Sequence, residues 1–287
     1  MKARTFACVA MLLSISAKQL PGQHAMSHMT AASADSEATR FIAAARAGTA
    51  RYRDRSLAIA DGYREVGPDL PAMGEHWLNI ALILADSVDP MRPPVLIYVS
   101  SPTGPVLAGV AYTRLLSPAD SYPDFPRGLR AWHDHSGFID DEALPTHHAG
   151  QHGAPNGTRL GILHLWTGER NAAGDWMPDN WALPFVRIGS QAPAASAAAA
   201  RALVLASDSG RYFLAVLSTV GQLDAREATQ LRSVLAAASR EARQASGSPG
   251  PDVVRLSKIW ESLWPDVENC LTLAARARVV EVRRLWW

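Results

Sequence analysis

Hydrophobic positions recur at three- and four-residue steps over residues 36–63, where Phe41, Ala45, Tyr52, Ile59 and Tyr63 fall between arginines and aspartates. That period is helical, and it predicts one long amphipathic helix, ended by Gly67-Pro68 and Leu70-Pro71. Two runs rich in β-branched residues follow, Val95-Leu96-Ile97-Tyr98-Val99 and Val106-Leu107-Ala108-Gly109-Val110-Ala111-Tyr112. The segment between them, Ser100-Ser101-Pro102-Thr103-Gly104-Pro105, has the Pro and Gly of a hairpin turn, so the two strands are expected to pair. A third apolar run, Leu160-Gly161-Ile162-Leu163-His164-Leu165-Trp166, also reads as a strand, and a short one over residues 181–188 closes this half. The Pro-rich stretch 117–126 and the Gly, Asn and Pro residues of 167–180 read as loops.

Beyond Gly189 the pattern changes. Residues 194–205 are alanine-rich and favour a helix, whereas 211–220 fits either a buried helix or a strand. Asp224-Ala225-Arg226-Glu227 is a capping-box sequence that opens a helix running to about residue 244. Gly247-Ser248-Pro249-Gly250-Pro251 interrupts it, and two helical pieces, 253–263 and 266–287, finish the chain. The expected fold is α+β: a long N-terminal helix, a small central mixed or antiparallel sheet and a C-terminal helical region. In domain terms this gives a signal peptide over 1–25, a flexible leader over 26–35, an α+β domain with the histidines over 36–189, and an Ala-rich helical region over 190–287.

The signal peptide is expected because Lys2 and Arg4 precede an uncharged, mainly apolar run at 5–17 that is too short to span a bilayer. Cleavage is expected after Ala17 or, given Pro21-Gly22, after Ala25, which makes the protein periplasmic or secreted, with no integral membrane segment after cleavage. Cys8 lies at the start of the apolar run, where a lipoprotein cysteine does not belong. Cleavage leaves Cys270 alone, which excludes an intramolecular disulfide. At 287 residues, 48% hydrophobic and 19% charged, the chain can bury a substantial core. A net charge of +1 without a dominant basic cluster argues against nucleic acid as a partner. The late group Arg276, Arg278, Arg283 and Arg284 fits a solvated helix face.

Candidate chemistry rests on histidine. Six of the nine histidines lie between Trp132 and Trp181. In an extended segment the i and i+2 side chains of Trp132-His133-Asp134-His135 share a face, so His133 and His135 suit one ion, with His76 and His164 completing the set. An imidazole-only set without thiolates suits Zn or Cu, one ion, and not Ca, Mg or an iron–sulfur cluster. Trp77, Trp132 and Trp166 stand beside these ligands as a dry shell or as core. Glu75 and Glu142 are the general-base candidates if one coordination position stays open. His147, His148 and His152 read as a lid, a second site or a polar surface loop. Gln23-His24-Ala25-Met26-Ser27-His28-Met29 reads as a disordered leader or a copper-holding tail.

Gly74-Glu75-His76-Trp77-Leu78-Asn79, Pro94-Val95-Leu96-Ile97-Tyr98, Leu107-Ala108-Gly109-Val110-Ala111-Tyr112 and the late His164-Leu165-Trp166 with Gly174 and Trp176 together carry a resemblance. Over residues 70–185 the chain resembles a group of uncharacterised exported bacterial proteins with a Gly-x-His-[Trp/Tyr]-x-Asn signature. The resemblance implies a shared histidine constellation and transfers no reaction; His133 and His135 have no counterpart in it and rest on spacing.

The sequence lacks the His-Glu-x-x-His, Gly-x-Ser-x-Gly and phosphate-loop patterns. The expected function is transition-metal binding in an exported protein. The alternatives are a metal-dependent hydrolase at the same site, and an envelope interaction protein that binds no metal and uses the C-terminal helices as its partner surface. Trp260, Trp264, Trp286 and Trp287 read as core or interface.

Overall fold

The computed structural model describes residues 22–117, 119–125, 131–134, 159–194, 197–247 and 249–287, with side chains from Ser36 onward apart from those of Asp134 and Leu285. It is an α+β fold. The described strands are β1 (Arg64–Glu65), β2 (Glu75–Leu78), β3 (Val95–Ser101), β4 (Gly104–Leu116), β5 (Trp132–Asp134) and β6 (Arg159–Leu165), and they form one antiparallel sheet in the order β1-β2-β3-β4-β6-β5. The β3–β4 hairpin forms as the two apolar runs and the turn between them predict, with Ser101 paired to Gly104 so that only Pro102 and Thr103 make the turn. Gly104 adopts φ +118°, a conformation that other residues rarely enter.

The N-terminal helical stretch is not one helix over 36–63. Helix α1 (Gly22–Thr49) begins earlier, so the backbone of the 26–35 segment is helical, and it gives way to a 3-10 turn (Ala50–Arg53) and then α2 (Arg55–Ala60). The interruption has a local cause. Asp54 is extended, at φ −87° and ψ 103°, and its carboxylate accepts from the Ser56 amide, so it caps a new helix and does not continue the old one. Phe41 of α1 packs edge-on against Tyr112 of β4, with ring centroids 5.0 Å apart, and so lays α1 on one face of the sheet.

That face carries Trp77, Leu96, Tyr98, Val110, Tyr112, Trp132, Leu163 and Leu165. Leu78, Val95, Ile97, Ala111, Ile162 and Trp166 lie on the other, beneath Leu183 and Val186 of the short helix α4 (Leu183–Arg187). Helix α3 (Ile80–Leu84) follows β2 and is capped by Asn79. A register shift sits in the middle of the sheet: Ile97 pairs with Gly109 but Tyr98 pairs with Leu107, leaving Ala108 as an extra residue. This is a β-bulge, and it lets Leu107 and Val110 share a face three residues apart.

The C-terminal region comprises α5 (Ala197–Asp208), α6 (Arg211–Gly221), α7 (Ala225–Ala245), α8 (Val253–Asn269), α9 (Leu273–Arg278) and α10 (Val280–Trp286). Residues 211–220, ambiguous by period, are helical; the Asp208 carboxylate accepts from the Gly210 and Tyr212 amides and turns the chain into α6. The capping box forms in both directions, and Glu227 also accepts from the Thr272 amide at 2.7 Å, tying the start of α7 to the start of α9. The expected break near Pro265 is absent. Helix α8 carries Pro265 inside it and ends at Asn269, and the interruption falls at residues 270–272, where Thr272 caps α9. Trp260, Trp264 and Trp286 are buried with Phe213 in a core that also takes in Leu70, Met73 and Phe185 from the sheet-bearing half. Among the described residues, no helix is long and apolar enough to cross a membrane.

Candidate functional site

Alternation and register decide which histidines meet. On β2, His76 shares its side of the sheet with Leu78 and opposes Glu75 and Trp77. His164 lies between Ile162 and Trp166 on β6, on the same side as Leu78. His133 on β5 pairs directly with Ile162 and so joins that face. Although β3 and β4 separate β2 from β6, the ring of His164 lies 5.9 Å from that of His76 and 5.1 Å from that of His133, centroid to centroid. His164 is 1% and His133 4% exposed, while His76 is only partly buried.

The loop after β6 sets the orientation of His164. Its Nδ1 lies 2.8 Å from the Pro178 carbonyl, and because a carbonyl only accepts, this contact places the proton on Nδ1 and fixes the ring's orientation. The neighbouring Trp166 indole donates to the Met177 carbonyl at 2.6 Å, and its backbone N–H donates to the Asp175 carbonyl at 2.9 Å. Two buried amides hold this irregular segment: Asn171 donates to the Asp179 carbonyl and Asn180 to the Glu169 carbonyl. Pro178, Asn171 and Asn180 are the parts that reading the sequence missed. The only sequence signal was a loop dense in Asn, Gly and Pro around a histidine strand.

Two ligands on one ion, each with the metal about 2.1 Å from nitrogen, hold their ring centroids about 5 Å apart in tetrahedral geometry. The His133–His164 separation matches that figure and the His76–His164 separation is slightly wider. As the side chains stand, no three His, Cys, Asp or Glu groups among the described residues gather donors that would hold a metal. Another polar group shares the face: Thr113 lies across Ile162 from His133 in the pairing, is 2% exposed, and its hydroxyl has no hydrogen-bond partner among the described residues.

The remaining expected site residues fall elsewhere. Glu75 is adjacent to His76 in sequence and therefore on the opposite face. Its carboxylate pairs with Arg55 at 3.1 Å, accepts from the Ser100 hydroxyl at 2.7 Å, and lies 3.4 Å from the Trp77 indole nitrogen. His135, Glu142, His147, His148 and His152 lie outside the described residues, as do the side chains of His24, Met26, His28 and Met29.

Fold and site together define an antiparallel α+β protein with three histidines on one sheet face. No protein-family model, curated protein or solved structure matches the chain.

Proposed function

We propose that this is an exported protein that binds one transition-metal ion, zinc or copper, through His76, His133 and His164, with His135 as a further ligand. The observation that carries the reading is the grouping of two imidazoles around His164, whose Nδ1 is fixed by the Pro178 carbonyl. A ring held through one nitrogen loses little further freedom when it ligates an ion. Closing the set on a metal needs the His76 and His133 rings to turn about their broad terminal torsion. An all-imidazole set in a water-poor site suits zinc, or copper in either oxidation state. Support for export is the basic start and short apolar run at the N-terminus.

The test is elemental analysis of the untagged mature protein after incubation with zinc or copper and removal of excess ion, beside His164→Ala and His133→Ala variants. One ion per chain, lost in both folded variants, is the expected result. No retained ion in the parent, or full retention in the variants, overturns the reading and leaves the histidines as hydrogen-bonded core. Mass spectrometry of the exported protein tests the N-terminus: a chain beginning at residue 18 or 26 is expected, and an intact Met1 refutes export by this route.

A further inference from the structure

A second site lies away from the histidines. The β-bulge leaves the Ala108 carbonyl outside the β3–β4 ladder, where it accepts from the amides of both Gly168 and Glu169, at 2.9 and 3.0 Å. This contact clamps the start of the post-β6 loop to the sheet and sets Glu169 in a cleft of about 840 Å³. The hairpin of β3 and β4 forms one side, through Val106. Trp181, Val186 and Pro193 form an apolar wall opposite. The volume lies within the range of small-molecule sites, which are mostly apolar with a few placed polar groups.

Glu169 is partly buried, and no hydrogen bond or ion pair to its carboxylate is present among the described residues. Burial alone raises its pKa; no neighbouring charge or hydrogen bond contributes. Arg170 also lines the cleft, but its side chain is exposed and makes no ion pair with Glu169. The Trp181 ring already has the Arg201 guanidinium 4.5 Å from its centroid, so the indole is better suited to cover a ligand's apolar body than to take a second cation.

The geometry points to a binding site for a small organic ammonium ion, its nitrogen paired with the Glu169 carboxylate and its apolar body laid along Trp181 and Val186. An ammonium supplies the counter-charge that the protein withholds, and it recovers the solvation the carboxylate lost. A neutral analogue forgoes that gain, and an anion is repelled. The site is independent of the metal reading.

The test uses the full chain, followed by calorimetry and by amide NMR shifts, with phenethylammonium, the neutral phenethyl alcohol and the anion phenylpropionate as probes. Phenethylammonium is expected to bind saturably, to move the amides of 168–173 and 189–194, and to bind at least about tenfold tighter than the alcohol. Glu169→Gln, which keeps the shape, is expected to erase that difference, and Arg170→Gln to preserve or tighten ammonium binding. Equal binding of alcohol and ammonium, an unaffected Glu169→Gln variant, tighter binding of phenylpropionate, or loss of ammonium binding in Arg170→Gln would each overturn the assignment.

Discussion

Replacing Glu75 separates a structural carboxylate from a catalytic one. The side chain is 8% exposed and accepts from Ser100 at 2.7 Å and from Arg55 at 3.1 Å. Removing it in Glu75→Ala takes the acceptor from the hydroxyl of Ser100, an exposed residue, at up to about 1 kcal/mol, and leaves the Arg55 guanidinium over the Trp77 ring without its anion. Arg55 is about a third exposed, so solvent screens that loss to about 1 kcal/mol. The sum is about 1–2 kcal/mol, which for a chain of this size lowers Tm by roughly 2–8 °C. Glu75→Gln keeps one acceptor oxygen and is expected to lose about half as much. The assay pairs thermal unfolding with metal content. Metal stoichiometry is expected to stay at the parent value in both variants, because Glu75 and His76 point to opposite faces of β2. A Tm within about 1 °C of the parent for Glu75→Ala would refute the energetic argument. Loss of metal at unchanged Tm would refute the assignment of faces.

Other perturbations test the frame around both sites. In Gly168→Ala the added carbon would stand 1.9 Å from the Leu107 carbonyl oxygen, a backbone atom held in the sheet, so a cost of about 3 kcal/mol or more is expected in chemical denaturation, with weakened ammonium binding; a loss under about 1 kcal/mol would show the loop to be loosely docked. Alkaline pH should unfold the protein cooperatively. Burial raises the pKa of Tyr63, Tyr98, Tyr112, Tyr212 and, less completely buried, Tyr52. The folded state therefore keeps these phenols protonated above the ordinary value of 10.0, where the unfolded chain releases its protons, and stability falls by up to about 1.4 kcal/mol per pH unit per tyrosine. Arg201 acts in the opposite direction, since burial lowers its pKa to about 10, but it is one group against five. Tyrosinate absorbance rising gradually at its ordinary pKa, without loss of circular dichroism, would contradict the expected coupling.

Much of the frame is legible in the sequence because its signals are local. The β3–β4 hairpin follows from two apolar runs around a turn with Pro and Gly, and α7 from a capping box that forms as written. What escaped depends on choices between comparable local options. Asp54 can ride inside a helix or cap a new one, and only the packing of Tyr52 and Tyr63 against each other settles it, with ring centroids 5.3 Å apart. Pro265 lies inside α8 because Leu263, Trp264 and Val267 bury on both sides of it, which outweighs one lost backbone hydrogen bond.

The histidines divide in the same way. That His76 and Glu75 cannot act at one site follows from adjacency on a strand, since consecutive side chains leave opposite faces. That His76 lies within 5.9 Å of a ring three strands away does not follow from any local pattern. It depends on strand order and on Ala111, which pairs with His164 and whose small side chain leaves room above β4; the lack of bulk at Gly109 makes room for the Trp166 ring. The bulge at Ala108 controls this. Without the extra residue, Leu107 and Gly109 could not present as they do relative to β3, and the histidine face would carry different side chains on β4. The same inserted residue turns its carbonyl toward Gly168 and Glu169. A single irregularity in the ladder thus sets which side chains β4 presents and holds the backbone of Glu169 at the second cleft, which is why neither arrangement could be read from hydrophobic alternation, a signal that assumes an unbroken pleat.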